Sequence, residues 1–373
     1  MFFTRAAASI LKVNLGIKKA ERVLIFTDYP KPPETWLERD KIKEFCLILR
    51  DLAQSFGARP IFYEYPETGM HGIEPPASLW KIALGERTVN ELKKKGLLSK
   101  LLKKKITPAE SEMVEVLIKR YARRPVNAVI ALSRYSTSHT NFRDLLTRVC
   151  KTRYASMPLF EVSMLEGPMN IDWRALKKRT LSIAAAMKDA EIIKIKASNG
   201  TDLVLSKKGR RVYSDTGILT RPGAFGNLPA GEVFLAPLEG TARGVLVIEW
   251  APTRFLNSPL ILRIEKGMVV EITGDEPYKD ELMKKFMENP LNSNIAELGI
   301  GTNDGARRPD NILESEKILG TIHIALGDNS SFGGKVRTPF HQDFVVFKPT
   351  VILKKGTEER VLLKNGDLQL TLP

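Results

Sequence analysis

Residue types that bind divalent metal ions are concentrated near the C-terminus of this chain. The sequence contains four histidines, and two of them, His323 and His341, lie close to Glu297, Glu316 and Asp343. Imidazole and carboxylate groups are the ligands that borderline divalent cations such as zinc prefer. Charge of this density is costly to bury unless a metal ion or another partner compensates it. The pattern therefore predicts that these side chains meet at a metal site.

The spacing of His341 and Asp343 supports this prediction. Both residues lie at the start of an apolar run, His341 to Phe347, that is typical of a strand. Side chains of a strand alternate between its two faces, so residues two apart project from the same face. A single histidine beside an apolar run is more often a packed or solvated residue. The prediction therefore depends on the combination of residues and not on this pair alone.

Four segments of the chain resemble a family of metal-dependent aminopeptidases typified by aminopeptidase T and aminopeptidase S. These segments are Asn227–Pro237, Ala296–Gly299, Thr321–Gly327 and His341–Asp343, and the resemblance is densest from Arg153 to Phe347. The resemblance implies a two-metal site and an acid/base carboxylate at Glu316. The metal ligands that it implies are Glu232, Glu297, His323, His341 and Asp343.

The resemblance implies an aminopeptidase that hydrolyses N-terminal residues from peptide substrates. Two divalent cations, zinc or cobalt with manganese or magnesium as alternatives, would lower the pKa of a bound water from about 15.7 toward about 7. Glu316 would carry the proton of that water to the leaving amine. The resemblance also implies a homodimer. One segment departs from the family pattern, because a tyrosine expected just after Gly327 is absent from Asp328 to Phe332.

Two alternative functions belong to other classes. The missing tyrosine favours a catalytically inactive homologue that binds metal or a protein partner. A net charge of +15 and the lysines of residues 93–95 and 103–105 raise the hypothesis of nucleic-acid binding. Since no aromatic residue interleaves with these lysines, a surface for base stacking is not supported. A solvated basic face of a helix or helical hairpin is the favoured interpretation of this segment.

The chain divides into two regions of different secondary structure. From residue 22 to residue 132, short apolar strands alternate with helices, which predicts a parallel α/β sheet. No Gly-x-Gly-x-x-Gly follows the first strand, so a dinucleotide site is not supported. After residue 187, short strands follow one another, and Asn199-Gly200 is a strong hairpin signal. We expect an α/β N-terminal domain with a mainly parallel sheet over residues 1–187. We expect a β-rich α+β C-terminal domain over residues 188–373 that carries the metal site.

The sequence also predicts a cytoplasmic protein without a membrane partner. No run of residues approaches the roughly 18 apolar positions of a membrane span. The apolar N-terminal stretch is interrupted by Arg5, whereas a secretory signal requires a longer unbroken apolar core. Cys46 and Cys150 are the only cysteines, which are too few for a disulfide framework or a cysteine metal cluster.

Overall fold

The computed structural model describes residues 2–33 and 36–370 of the chain. Its α-helices are α1 Phe2–Ser9, α2 Arg39–Ser55, α3 Ala77–Leu84, α4 Glu86–Lys94, α5 Leu97–Leu102, α6 Pro108–Tyr121, α7 Asn141–Arg148, α8 Trp173–Lys188, α9 Tyr278–Glu288 and α10 Ile312–Ser315. Its strands are β1 Arg22–Tyr29, β2 Arg59–Pro66, β3 Ala128–Ala131, β4 Arg153–Ser156, β5 Ile192–Lys196, β6 Asp202–Ser206, β7 Tyr213–Asp215, β8 Phe225–Asn227, β9 Glu232–Leu235, β10 Arg243–Ala251, β11 Arg254–Glu265, β12 Met268–Thr273, β13 Ile295–Gly301, β14 Ile322–Gly327, β15 His341–Val346, β16 Thr350–Lys355, β17 Glu358–Lys364 and β18 Asp367–Leu368.

Backbone contacts divide the chain into two compact units. The first unit comprises Met1–Asn170 and Gly217–Pro229, and the second comprises Ile171–Thr216 and Ala230–Pro373. This grouping places α8 in the second unit, while the expected domain boundary after residue 187 stays a prediction. Within the described residues, no helix combines the length and the apolar character that crossing a membrane requires.

The first unit is built on a five-stranded sheet in the order β2-β1-β3-β4-β8, and all of its strand pairs are parallel. Strands of parallel sheets are covered on both faces and are therefore continuously apolar. The segment Val23–Phe26 of β1 shows this pattern, since each of its side chains is fully buried. The predicted α/β architecture of this region is confirmed.

The second unit contains two antiparallel sheets. One has the order β12-β11-β10-β6-β5-β16-β17-β18 and the other the order β15-β14-β13-β9-β7. Buried residues from both sheets, among them Leu246 and Ile324, form one hydrophobic core. The strands β5 and β6 pair through the expected hairpin at Asn199-Gly200, where Gly200 has a φ of 101°. A left-handed φ of this kind is easily adopted by glycine. The predicted β-rich character of this region is confirmed.

Candidate metal centre

The five candidate ligands lie on four neighbouring strands of the sheet β15-β14-β13-β9-β7. The strands carry them as follows: Glu232 on β9, Glu297 on β13, His323 on β14, and His341 and Asp343 on β15. Glu297, Ala325 and Asp343 are aligned across three strands, so their side chains share one face of the sheet. The pairs Gly301 with Glu232, Gly299 with His323 and Gly327 with His341 bring the remaining ligands to the same face. The structure therefore places His341 and Asp343 on one face of β15, as the period-two argument predicts.

Residues with small side chains form the floor of this face. Gly299 lies directly opposite His323, and a Cβ atom on Gly299 would lie only 1.9 Å from the Nε2 atom of His323. The imidazole ring therefore extends over β13 in space that any other residue would fill. Ala325 lies between Glu297 and Asp343 in the register of the three strands, and its side chain is only a methyl group. The small residues thus allow ligands from separate strands to converge.

Glu297 joins the two histidines at the centre of the site. Its Oε1 atom is 3.5 Å from Nε2 of His323, and its Oε2 atom is 3.5 Å from Nε2 of His341. His323 Nε2 is also 3.3 Å from Oε2 of Glu232, and His341 Nε2 is 3.5 Å from Oδ2 of Asp343. Two groups of metal-binding atoms result, each within 4.8 Å, and Glu297 belongs to both. The groups are Glu232 with Glu297 and His323, and Glu297 with His341 and Asp343.

The electrostatics of the site favour positive charge on both imidazoles. Burial on its own would lower the pKa values of His323 and His341, but the neighbouring carboxylates outweigh it and raise them to about 9 and about 10. Burial raises the pKa of Glu297. Burial also acts to raise the pKa of Asp343, yet His341 lowers it well below its usual range. The site is therefore suited to a cation, which would take the place of protons on the histidines.

The hydrogen bond of His341 is consistent with metal binding. The Nδ1 atom of His341 is 2.8 Å from the carbonyl oxygen of Asp328. Because that oxygen can only accept, Nδ1 donates and Nε2 is left as the ligand atom. The Oε2 atom of Glu232 and the Nδ1 atom of His323 are buried without a hydrogen-bond partner. Unsatisfied buried atoms of this kind are uncommon in native structures.

Glu316 and Lys317 lie beside these ligands, directly after α10. The Lys317 side chain is only 1% exposed, and its Nζ atom is 2.7 Å from Oε1 of Glu232 and 2.8 Å from Oε2 of Glu316. Burial raises the pKa of Glu316 to about 8. Burial would lower the pKa of Lys317, but Glu232 and Glu316 raise it well above its usual value. The ammonium group of Lys317 thus holds Glu316 within the site.

Lys317 is a charged residue of this site that sequence reasoning missed. The one available signal was its position directly after Glu316, between two segments that supply ligands. Nothing in that local sequence indicates burial of the ammonium group, because lysine is almost never fully buried unless it is paired.

An aromatic cluster lies next to the ligands. The ring of Phe332 meets the imidazole of His341 edge to face, with 6.0 Å between centroids. Phe332 also contacts Phe234 at 5.8 Å, and Phe234 stacks on Tyr213 at 5.3 Å. Phe332 ends the segment in which the aminopeptidase resemblance led us to expect a tyrosine. The structure therefore provides an apolar ring near His341, without a phenol hydroxyl at that position.

Comparison with known proteins identifies relatives of this chain. Residues 169–369 match the family model described as NicX, 2,5-dihydroxypyridine 5,6-dioxygenase. The curated 2,5-dihydroxypyridine 5,6-dioxygenase of Pseudomonas putida KT2440 is 26% identical over 208 residues, which are 52% of this chain and 58% of the relative. The aligned segment thus spans less than two thirds of that relative's length.

Two solved structures show a similar fold along nearly the whole chain. The 2,5-dihydroxypyridine dioxygenase from Pseudomonas putida KT2440 has a TM-score of 0.68 at 17% identity and covers 98% of this chain and 96% of its own. Aminopeptidase T (AmpT) from Thermus thermophilus has a TM-score of 0.58 at 16% identity and covers 99% of both chains. At these identities the structures establish the fold alone. The expected likeness to the aminopeptidase T fold is confirmed.

The expected peptidase activity is wrong. Both the matching family model and the curated relative are described as dioxygenases, not as peptide hydrolases. The error has a physical origin, because one scaffold supports different reactions and histidine and carboxylate ligands serve both hydrolytic and redox metals. The individual roles expected of Glu232, Glu297, His323, His341, Asp343 and Glu316 stay predictions, as does the homodimer.

Proposed function

Because this chain belongs to the family described as NicX, 2,5-dihydroxypyridine 5,6-dioxygenase, we propose that it is a metal-dependent dioxygenase. Its substrate class would be dihydroxylated nitrogen-containing aromatic rings. The observation that carries the proposal is the position of Glu297, whose two oxygen atoms each lie 3.5 Å from a histidine Nε2 atom. Imidazole and carboxylate donors that leave further coordination positions open are typical of non-haem Fe(II) oxygenases.

We propose a single iron ion, held by Glu297, His341 and Asp343. The alternative group contains Glu232, whose Oε1 atom already accepts a hydrogen bond from the Lys317 ammonium at 2.7 Å. Lys317 therefore occupies an oxygen atom of Glu232 that could otherwise bind a metal ion. In the described residues, no lysine or arginine forms an ion pair with Asp343, and the charged partners of His341 are carboxylates. A bound iron ion supplies the one-electron chemistry that lets dioxygen react with an organic ring. The alternative is a site with two zinc or cobalt ions, and analysis of the metal content of the protein distinguishes the two.

The residues around the ligands would bind the substrate and move its protons. Phe332 and Phe234 offer aromatic rings beside His341, against which a flat heteroaromatic ring packs. Glu316 is the proton-transfer group in this proposal. A carboxyl whose pKa is raised to about 8 can give or take a proton near neutral pH, as a proton-transfer group must. Lys317 positions Glu316 through its hydrogen bond at 2.8 Å.

Oxygen uptake after metal reconstitution tests this function. The metal-free protein would be supplied with Fe(II), Mn(II), Co(II) or Zn(II), and oxygen consumption would be recorded with 2,5-dihydroxypyridine. We expect uptake with Fe(II) and none with Zn(II). His341→Ala should abolish uptake and weaken metal binding by more than about a hundredfold, since even residues that only support a ligand contribute 10- to 100-fold.

His71→Ala is the matched control for that variant. His71 lies in the first unit, where its Nδ1 atom accepts a hydrogen bond from the Ser136 backbone at 3.0 Å. This variant should retain both metal and oxygen uptake. If the wild-type protein binds metal through His341 but consumes no oxygen with any metal, the inactive metal-binding homologue becomes the better description.

A further inference from the structure

The first unit contains a cavity of about 510 Å³ that is lined by a cluster of arginines. The members of this arginine cavity are Arg22, Arg59, Arg87, Arg123 and Arg124. Glu86 is the single acidic residue of the lining, so the lining carries a formal charge of +4. Apolar surface is also present, from Pro60, Ile61 and Tyr121. The cavity volume lies within the range of about 300 to 1,000 Å³ that small-molecule sites occupy.

The fold brings these arginines together from separate parts of the first unit. Arg22 begins β1 and Arg59 begins β2, and the two residues are partners across the parallel pair. Arg87 lies in the first turn of α4, while Arg123 and Arg124 follow the end of α6. The cluster is therefore a product of tertiary structure and not of one basic run in the sequence.

Within the cavity the arginines differ in how they are held. The guanidinium of Arg22 is fixed by hydrogen bonds to the backbone oxygens of Arg124 and Ile82, the latter at 3.0 Å. Partial burial lowers the pKa of Arg22. Arg87 lies over the ring of Tyr121, with its central carbon 5.1 Å from the ring centroid. These contacts set the shape of the cavity around two of its cations.

The arginines of this cavity are not paired with carboxylates at ion-pair distance in the described residues. In the ranges 2–33 and 36–370, no carboxylate forms an ion pair with any of the five arginines, and Glu86 pairs instead with Lys81 at 3.6 Å. Elsewhere in the same unit, Arg148 and Arg153 form ion pairs with Glu115 and Glu21. Like charges around one cavity repel each other, so an anionic ligand would relieve the repulsion.

We propose that the arginine cavity binds a small phosphorylated molecule. The planar guanidinium fork matches the geometry of phosphate oxygens and forms charge-assisted hydrogen bonds with them. The exposed side chains of Arg59, Arg123 and Arg124 hold the phosphates, and the half-buried Pro60 and Ile61 receive the apolar part of the ligand. A charge of +4 suits a ligand with several phosphates, such as a nucleoside triphosphate.

A single-stranded nucleic acid fits this site less well. Binding of single strands depends on aromatic rings that are free to stack with bases. Tyr121 is the aromatic residue of the cavity, and the guanidinium groups of Arg87 and Arg120 lie 5.1 and 5.3 Å from its ring centroid. Its ring is therefore already in contact with two guanidinium groups and is not free to stack on a base. The cavity can still bind phosphate groups and a small apolar group.

Calorimetric titration of the full-length protein with ATP, inorganic triphosphate and adenosine tests this inference. We expect ATP to bind more tightly than triphosphate, and adenosine to bind much more weakly than either. The double variant Arg59→Gln/Arg123→Gln should weaken ATP binding by at least about tenfold, because it removes charge-assisted hydrogen bonds to the phosphates. Triphosphate binding as tight as that of ATP would overturn the apolar subsite.

The control variant is Lys103→Gln/Lys105→Gln, which removes the same charge from two exposed residues of the same unit. Its affinity for ATP should equal that of the wild-type protein. Equal weakening in both double variants would overturn the proposal, since it would indicate binding by net charge alone. Absence of ATP and triphosphate binding to the wild-type protein would also overturn it. The proposal would also be overturned if the protein bound duplex DNA but not ATP, and if Arg59→Gln/Arg123→Gln abolished that DNA binding.

Discussion

The metal centre of the second unit and the arginine cavity of the first unit are both dense in charge, but they differ in how that charge is compensated. In the metal centre, a buried lysine, Lys317, lies 2.7 Å from Glu232 and 2.8 Å from Glu316. In the arginine cavity, Arg59, Arg123 and Arg124 are exposed. Those three arginines form no ion pair with any acidic residue in the part of the chain that the structure describes.

Solvent explains this difference. Water and salt screen the charge of an exposed side chain, so a set of exposed arginines can exist without partners. A buried charge has no such screening and must be paired and hydrogen-bonded within the protein. We therefore expect removal of a charge from the metal centre to reduce stability and catalysis, whereas removal of a charge from the arginine cavity should change only ligand binding.

The largest effect on stability is expected for Lys317→Met. This change leaves the carboxylates of Glu232 and Glu316 without their buried cation, and breaking a buried ion pair costs about 3–5 kcal/mol. Urea denaturation of the metal-free protein measures this free energy of unfolding. Lys285→Met is the control, because Lys285 pairs with Glu288 at 2.9 Å on the surface. Such exposed pairs contribute about 0.2–1 kcal/mol. Similar losses in both variants would contradict the assigned role of burial.

Glu316→Gln separates catalysis from metal binding within the same site. Glutamine can still accept the hydrogen bond from Lys317, but it cannot exchange a proton. We expect unchanged metal content and a loss of at least about a hundredfold in kcat, with little change in KM. Glu288→Gln, on the exposed surface of α9, should behave as the wild type. Wild-type turnover in Glu316→Gln would rule out the proton-transfer role.

Gly299→Ala tests the floor of the site. The added Cβ atom would lie 1.9 Å from Nε2 of His323, so the imidazole must move away from Glu297. We expect metal affinity to fall by about 10- to 100-fold, because His323 contacts the proposed ligand Glu297 and residues that support a ligand contribute that much. A double-mutant cycle with His323→Ala provides the control. Once the imidazole is removed, Gly299→Ala should cause no further loss of metal affinity. Full additivity of the two changes would show that Gly299 acts elsewhere.

The smallest effect is expected for Phe332→Leu. Leucine keeps the apolar surface beside His341 but loses the aromatic contact, which contributes about 0.5–1.5 kcal/mol in comparable pairs. We expect KM for 2,5-dihydroxypyridine to rise by up to about tenfold, with unchanged metal content. Phe255→Leu, at an exposed position of β11, serves as the control. An unchanged KM in Phe332→Leu would remove the aromatic cluster from the substrate site.

Local sequence patterns were sufficient to predict most of the fold. The apolar run of β1 and the turn at Asn199-Gly200 each depend on neighbouring residues, so both can be read directly from the sequence. The strand Phe225–Asn227 shows the limit of this approach. It pairs with β4 at the edge of the parallel sheet, far along the chain from the other strands of that sheet. A strand of three residues is too short to show an alternation of apolar and polar side chains, so its long-range pairing cannot be predicted from the sequence.

The site was predictable in part, for similar reasons. The alternation of side chains in a strand gave the common face of His341 and Asp343, whereas Glu232 was found only through the family resemblance. Lys317 and Gly299 were not identified, because their roles depend on residues that are distant in sequence. The chemistry was predicted wrongly, since histidines and carboxylates alone do not specify whether a metal site hydrolyses a peptide or uses dioxygen.

Isotope labelling tests the proposed dioxygenase activity most directly. The iron-loaded protein would convert 2,5-dihydroxypyridine under an atmosphere of ¹⁸O₂, and mass spectrometry would count the labelled atoms in the product. We expect the wild-type product to contain two ¹⁸O atoms, and His341→Ala to form no product. A product without ¹⁸O would show that its added oxygen comes from water, and this result would contradict the account. A wild-type protein that leaves the substrate unchanged would also contradict it.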